Sequence, residues 1–162
     1  MCDYSLMAVS NRLAQEGEDL VVHRFYTGSL GLASPAELTS AASSIVTKKT
    51  FWALLKEFFS PPPVDTVCAV CIPPGASLEL RGISERLRHD LGVGPIERVT
   101  FTQITANSNS YRDAVRFANR RVLRLQELQE GMRVKVLDLS MAEELNLDLQ
   151  RELGQILDRT TI

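Results

Sequence analysis

The chain of 162 residues has little that would commit it to a specialised class. No apolar run approaches the length that spans a bilayer, which excludes a membrane-spanning helix. The N-terminus lacks a basic region followed by an apolar one, and Asp3 sits where a secretory signal tolerates no acid. Cysteine is scarce and odd in number, at three, which argues against a disulfide framework and for a reducing compartment. Net charge is only −2, so no global field draws in nucleic acid or an anionic membrane. There is no internal repeat and no low-complexity segment. Thr27-Gly28-Ser29-Leu30-Gly31 is glycine-rich but no Gly-Lys-Ser/Thr follows, so it reads as a turn and not as a phosphate loop.

What is present is an ordinary globular composition, with 44% apolar and 23% charged residues. One cytoplasmic domain over 1–162 is the expectation. Tyr4 to Val9 reads as a short strand, Gln15 to Asp19 as a turn, and Leu20 to Phe25 as a second strand, together a hairpin. Ser34-Pro35-Ala36-Glu37 has the form of a capping box at a helix start, and the hydroxyl-rich Thr39 to Thr50 follows as a weak helix or a connection. Phe51 to Phe59 is the most apolar segment, with Phe51, Leu54, Leu55 and Phe58 at helical spacing and Pro61-Pro62-Pro63 as its stop. It is expected as a short helix buried on most sides. The alternative, with Lys48 and Lys49 just before it, is an interfacial membrane helix or a protein-docking face through Phe51, Trp52, Leu55 and Phe58.

Thr66 to Ile72 is a continuous apolar run of strand length, and Ser77 to Arg81 and Glu97 to Ile104 alternate as half-buried strands do. Ser84 to Leu91 reads as a short helix stopped at Gly92. Tyr111 to Gly131 stays open between a helix and a hairpin turning at Asn119, with the hairpin preferred. Met132 to Leu139 is a strand. Ser140-Met141-Ala142-Glu143 then opens a C-terminal helix with Leu145, Leu149, Leu153, Ile156 and Leu157 on its inner face. The fold class expected is α+β: mostly antiparallel β, as a small barrel or sandwich of hairpins, with packed helices including a C-terminal one.

Charge is uneven. From Glu97 to Leu137 eight basic residues face four acidic ones, whereas from Asp138 onward two basic residues face six acidic ones. The acidic segment is expected to lie near the basic stretch and neutralise it, so no nucleic-acid partner is assigned. Phe101, Tyr111 and Phe117 follow no RNA-binding motif.

The sharpest chemical idea lies at Met1-Cys2. If the initiator methionine is removed, Cys2 carries a thiol beside a free α-amine, which lowers the thiol pKa and supplies a base. His23, on the second strand, is the other candidate base. Cys2 and His23 are therefore the candidate catalytic pair. A metal set of Cys2, His23 and Cys68 or Cys71 is an alternative, although the paired spacing of zinc knuckles is missing. Cys68-Ala69-Val70-Cys71 matches the redox spacing, but in a strand residues three apart point to opposite faces, so both are read as buried structural thiols. His89, among Arg86, Arg88 and Asp90, is read as solvated.

At Met1-Cys2 alone the chain resembles class II glutamine amidotransferases and the SRAP proteins that trap abasic DNA sites. That resemblance implies a type of chemistry. The chain also resembles a set of bacterial proteins that open Met-Cys-Asp-Tyr-Ser-Leu and carry Cys-Ile-Pro-Pro-Gly-Ala, here Met1 to Leu6 and Cys71 to Ala76. This second resemblance implies a standalone bacterial domain and no activity. The functional expectation is a binding or accessory domain without catalysis of its own and without a cofactor, with Cys2-dependent thiol chemistry or a Cys/His metal site as the alternative.

Overall fold

The computed structural model describes residue 6 and residues 8–45, 67–105 and 110–141. Nine strands and two helices lie in this part: β1 (Asn11–Leu13), β2 (Asp19–Arg24), β3 (Leu30–Ala33), α1 (Pro35–Ile45), β4 (Ala69–Cys71), β5 (Ser77–Arg81), α2 (Glu85–Leu91), β6 (Ile96–Gln103), β7 (Asp113–Phe117), β8 (Val122–Arg124) and β9 (Arg133–Asp138). Seven of the strands form one antiparallel sheet in the order β3-β2-β9-β5-β6-β7-β8, curled into a half-barrel. The expected class, mostly antiparallel β with packed helices, is what the described residues form. The segment expected as a C-terminal helix lies outside them from residue 142, as does the apolar segment at 51–59.

Period-two alternation explains the core. Leu20 and Val22, Leu78 and Leu80, Val99 and Phe101, Val115 and Phe117, and Val134 and Val136 all point into the concave side and are buried. Each such side chain contributes about 1.5–3 kcal/mol relative to exposure. Phe101 and Phe117 are thus core residues and offer no stacking surface. A register shift between Ser77 and Leu78 against β9 adds local bend to the curl.

A second, smaller core sits on the opposite side of β2 and β3. Leu6, Val9, Phe25, Ala33, Val67 and Ala69 are buried there, with Leu38 and Ala41 of α1 against them. β1 and β4 pair in parallel beside this core, Asn11 with Ala69 through Leu13 with Cys71. The β2–β3 hairpin, α1 and the intervening chain supply the long crossover that a parallel pair requires.

Several expectations are corrected here. Among the described residues the first strand is Asn11–Leu13, and at residues 6, 8 and 9, where a strand was expected, Val9 N–H turns back to the Leu6 carbonyl at 3.0 Å. The hairpin partner of β2 is β3, because the turn lies at Phe25 to Ser29 with Gly28 at φ +82°, and Leu30-Gly31 belongs to the strand beyond. Residues 111–131 form a hairpin, as preferred. The left-handed residue of its turn is Arg120 at φ +68°, while Asn119 is committed elsewhere: its Nδ2 donates to Leu91 O at 2.9 Å and its Oδ1 accepts from Arg121 N. Arg121 donates to Asp90 O, so this turn satisfies carbonyls at the α2 C-terminus, which Gly92 closes in the left-handed conformation. At the end of β9, Asp138 accepts both the N–H and the hydroxyl of Ser140, while the capping box expected at Ser140 to Glu143 runs beyond the described residues. Those bonds, the hydroxyl's first, hold the Asp138 carboxyl below the usual range.

Closing the half-barrel falls to a 3₁₀ turn at Leu125–Glu127, directly after β8. Gln126 Oε1 accepts from Leu30 N at 2.8 Å and Gln126 Nε2 donates to Leu30 O at 2.7 Å. One side-chain amide thus makes the two bonds that a neighbouring strand would make to β3. Glu127 Oε2 accepts from Arg124 N at 3.1 Å, which covers the edge of β8. Both ends of the sheet are sealed by consecutive residues of one turn.

Candidate functional site

His23 lies in β2, half-buried, on the convex side of the sheet. Its register partner is Gly31, and its ring meets Phe25 edge-on with centroids 5.0 Å apart. A Cβ placed on Gly31 would come within 2.6 Å of Leu6 Cδ1 and 2.9 Å of Phe25 Cε2. Leu6 therefore seats on the bare backbone directly opposite His23, and only glycine admits it. Cys2 lies outside the described residues. It precedes Leu6 by four residues, a reach of about 14 Å when extended.

The two remaining cysteines differ from the expectation of paired buried thiols. Cys68 precedes β4, is half-buried and free. Cys71 is buried in β4 and is disulfide-bonded, its other sulfur lying outside the described residues. Among the described residues no group of three or more His, Cys, Asp or Glu has the geometry to hold a metal. A set that includes Cys2 falls partly beyond them. His89 is exposed, with Nδ1 3.7 Å from Asp90 Oδ1.

A polar network ties this corner together. Arg12 on β1 forks onto Glu18, Nη2 to Oε1 and Nη1 to Oε2 at 3.2 Å, and its Nε lies 3.6 Å from Glu37 Oε1. Glu37 was expected to close a capping box on α1; its Oε2 accepts the backbone N–H of Cys68 at 2.8 Å. The Arg12 hydrogen bond is the main cause that holds the Glu18 carboxyl below its ordinary range, with the Gln15 N–H assisting against partial burial.

The convex surface of the main sheet shows a second arrangement, absent from the sequence reading. Across β2, β9, β5 and β6 the register aligns Asp19, Lys135, Glu79 and Arg98, so signs alternate from strand to strand. One step along, the row is Val21, Arg133, Arg81 and Ile96. Here two arginines stand directly opposite each other, where like charges repel. A cleft of about 290 Å³ opens at this point, lined by Arg81, Gly82, Gln129, Glu130, Gly131 and Arg133 among others. Arg81 Nε donates to Glu79 Oε1, and Glu130 is engaged by Arg24 through its backbone N–H at 3.3 Å and its Nε at 3.5 Å. No ion pair joins Arg133 to a carboxylate among the described residues. Gly131 N–H is taken by Val22 O at 2.8 Å, so the cleft's charged donors are the guanidiniums, with the Gln129 side-chain amide beside them. The alternation of Ser77 to Arg81 already put Arg81 on the outer face; that Arg133 faces it is a matter of strand register between distant segments.

No protein-family model, curated protein or solved structure matches the chain. Among the described residues no helix is long and apolar enough to cross a membrane.

Proposed function

We propose that this chain is a binding or accessory domain without catalysis of its own, and that its ligand presents a carboxylate or phosphate to the cleft at Arg81 and Arg133. The observation that carries the reading is the register pairing of those two arginines. A sheet that elsewhere alternates charge has two like charges together at a cleft, an arrangement an anion bridging both would relieve. A guanidinium fork suits planar bidentate binding of such a group. The protein-docking face expected at Phe51, Trp52, Leu55 and Phe58 belongs to the same proposal, as does a cytoplasmic location; no role is assigned to nucleic acid or membrane. The test is a thermal-shift titration with inorganic phosphate and with citrate against chloride at matched ionic strength. Stabilisation specific to either anion, lost in Arg133→Ala and in Arg81→Ala, is the expected result. Equal response to chloride, or full response in both variants, refutes it.

A second reading keeps Cys2 as nucleophile with its own amine or His23 as base. What favours it is Leu6 seated opposite His23, which brings the N-terminal segment to that strand. It requires Met1 to be removed and the chain to be reduced, since Cys71 is disulfide-bonded and Cys68 is free among the chain's three cysteines. Intact-mass analysis tests the removal of Met1, and alkylation before and after reduction tests the thiol; a chain that retains Met1, or leaves Cys2 unlabelled even after reduction, ends this reading. Elemental analysis of protein purified without added metal tests the related Cys2, His23 and Cys68 site, from which the disulfide-bonded Cys71 is withdrawn.

A further inference from the structure

We infer that residues 142–162 dock on the convex face of β6, β7 and β8, and that this acidic segment of the same chain is the face's resident occupant. The proposal is independent of the anion cleft.

The face comes first. Outward positions of these three strands carry Ile96, Arg98, Thr100 and Thr102 on β6, the covered Ala114 and the exposed Arg116 on β7, and Val122 and Arg124 on β8. None of them is acidic. Glu127, adjacent in sequence, is committed to the Arg124 backbone N–H. On the other half of the sheet Lys135 lies between Asp19 and Glu79, so the charge there is met within the sheet. On this half the one polar contact of Arg116 among the described residues is with Thr102 Oγ1 at 3.4 Å. Val122 and Ile96 are 41% and 56% exposed, so apolar surface accompanies the charge.

The occupant follows from where the chain goes. Asp138, near the end of β9, pairs with Ser77, which pairs with Thr100, then Arg116, then Val122. The chain therefore leaves the sheet on the row that crosses this face. From β9 to β8 is four strand steps, about 19 Å at 4.8 Å each. Residues 142–157 span about 24 Å at the rise of a helix. Residues 142–162 hold Glu143, Glu144, Asp148, Glu152 and Asp158 against Arg151 and Arg159, together with Leu145, Leu149, Leu153, Ile156 and Leu157. Length, charge and apolar content all match the face, and the tether makes the contact intramolecular, which raises its effective concentration.

Hydrogen exchange read by mass spectrometry on the full chain tests this. Arg116→Glu with Arg124→Glu is expected to reduce protection across 142–157 by about tenfold, with a smaller loss for Arg116→Gln with Arg124→Gln. Adding Glu144→Arg and Asp148→Arg to the charge-reversed chain restores protection, and about 1 M salt weakens it in the wild type. Near-UV circular dichroism confirms that the variants keep the sheet. Unchanged exchange in 142–157 on charge reversal overturns the proposal. Protection that rises with protein concentration also overturns it, because the segment would then dock on a second copy.

Discussion

Replacing Gln126 with alanine removes the side chain that joins the 3₁₀ turn after β8 to the backbone of Leu30 by paired hydrogen bonds. Leu30 is 3% exposed, so its N–H and C=O lose their partners in a place water reaches poorly. Each net bond is worth about 0.5–1.5 kcal/mol, and each buried group left unpaired costs about 1–3 kcal/mol. Gln126 itself is half-buried, so water enters part of the vacated space and draws the sum to the lower end, about 2 kcal/mol. In urea the midpoint is expected to fall with an unchanged slope, because the surface exposed on unfolding is the same. The melting temperature drops by about 4–8 °C. Exchange of the Leu30 amide accelerates about thirtyfold, while the Val22 amide, bonded to Met132 O on the other side of β2, follows only global unfolding. Gln126→Glu is the informative control. It keeps an acceptor for Leu30 N–H but sets a lone pair against Leu30 C=O, and protonation restores the donor. Relative to wild type it should gain stability as pH falls below about 5, the sign expected of a carboxyl whose folded pKa is raised. A Gln126→Ala chain within about 0.5 kcal/mol of wild type, with Leu30 exchange unaltered, would refute closure by this amide.

Gly31→Ala should destabilise by about 1–3 kcal/mol by displacing Leu6 and Phe25, visible as faster exchange of the Val9 amide, which depends on Leu6 O; an alanine chain as stable as wild type removes the seat argued for Leu6. Arg12→Ala should cost about 2 kcal/mol, since it strips the fork from a largely buried Glu18, and a double-mutant cycle with Glu18→Gln should recover much of that as coupling. Acid should destabilise the fold through Glu18 and Asp138. Both carboxyls are depressed, so their contribution is present above their unfolded pKa near 4 and lost as pH falls through the folded values. Chemical denaturation at stepped pH should show a plateau from neutral to about pH 5 and a decline below pH 4, with Glu18→Gln shrinking that decline. Cys68 should alkylate without reductant while Cys71 requires it, read by peptide mass mapping.

Much of the fold was legible because it is written locally. The alternation of Ser77 to Arg81, Glu97 to Ile104 and Met132 to Leu139 places Leu78, Val99 and Val134 inward whatever the partners are. Ser84 and Gly92 bracket α2, and the β-forming pairs either side of Asn119 favoured the hairpin found there. The misreadings share one cause. Tyr4 to Val9 resembles a strand by composition, yet Leu6 and Val9 belong to a second core shared with residues of β3, α1 and β4. Glu37 stands in a capping pattern, yet it bonds the chain 31 residues away at Cys68. A short polar motif states which bonds a side chain can make, and the tertiary neighbours decide which it makes.

The sequence by itself determined the β-rich class, the inward and outward faces of the strands, and the separation of a basic stretch from an acidic one, since periodicity and charge are properties of neighbours along the chain. Only the tertiary structure decided that Arg81 faces Arg133, that Gln126 stands in for a strand at Leu30, and that His23 lies opposite the glycine beneath Leu6. Those are facts of register between segments 52, 96 and 8 residues apart. Register is selected by the packing of the whole core, because a slip of one residue would turn every buried side chain to the other face.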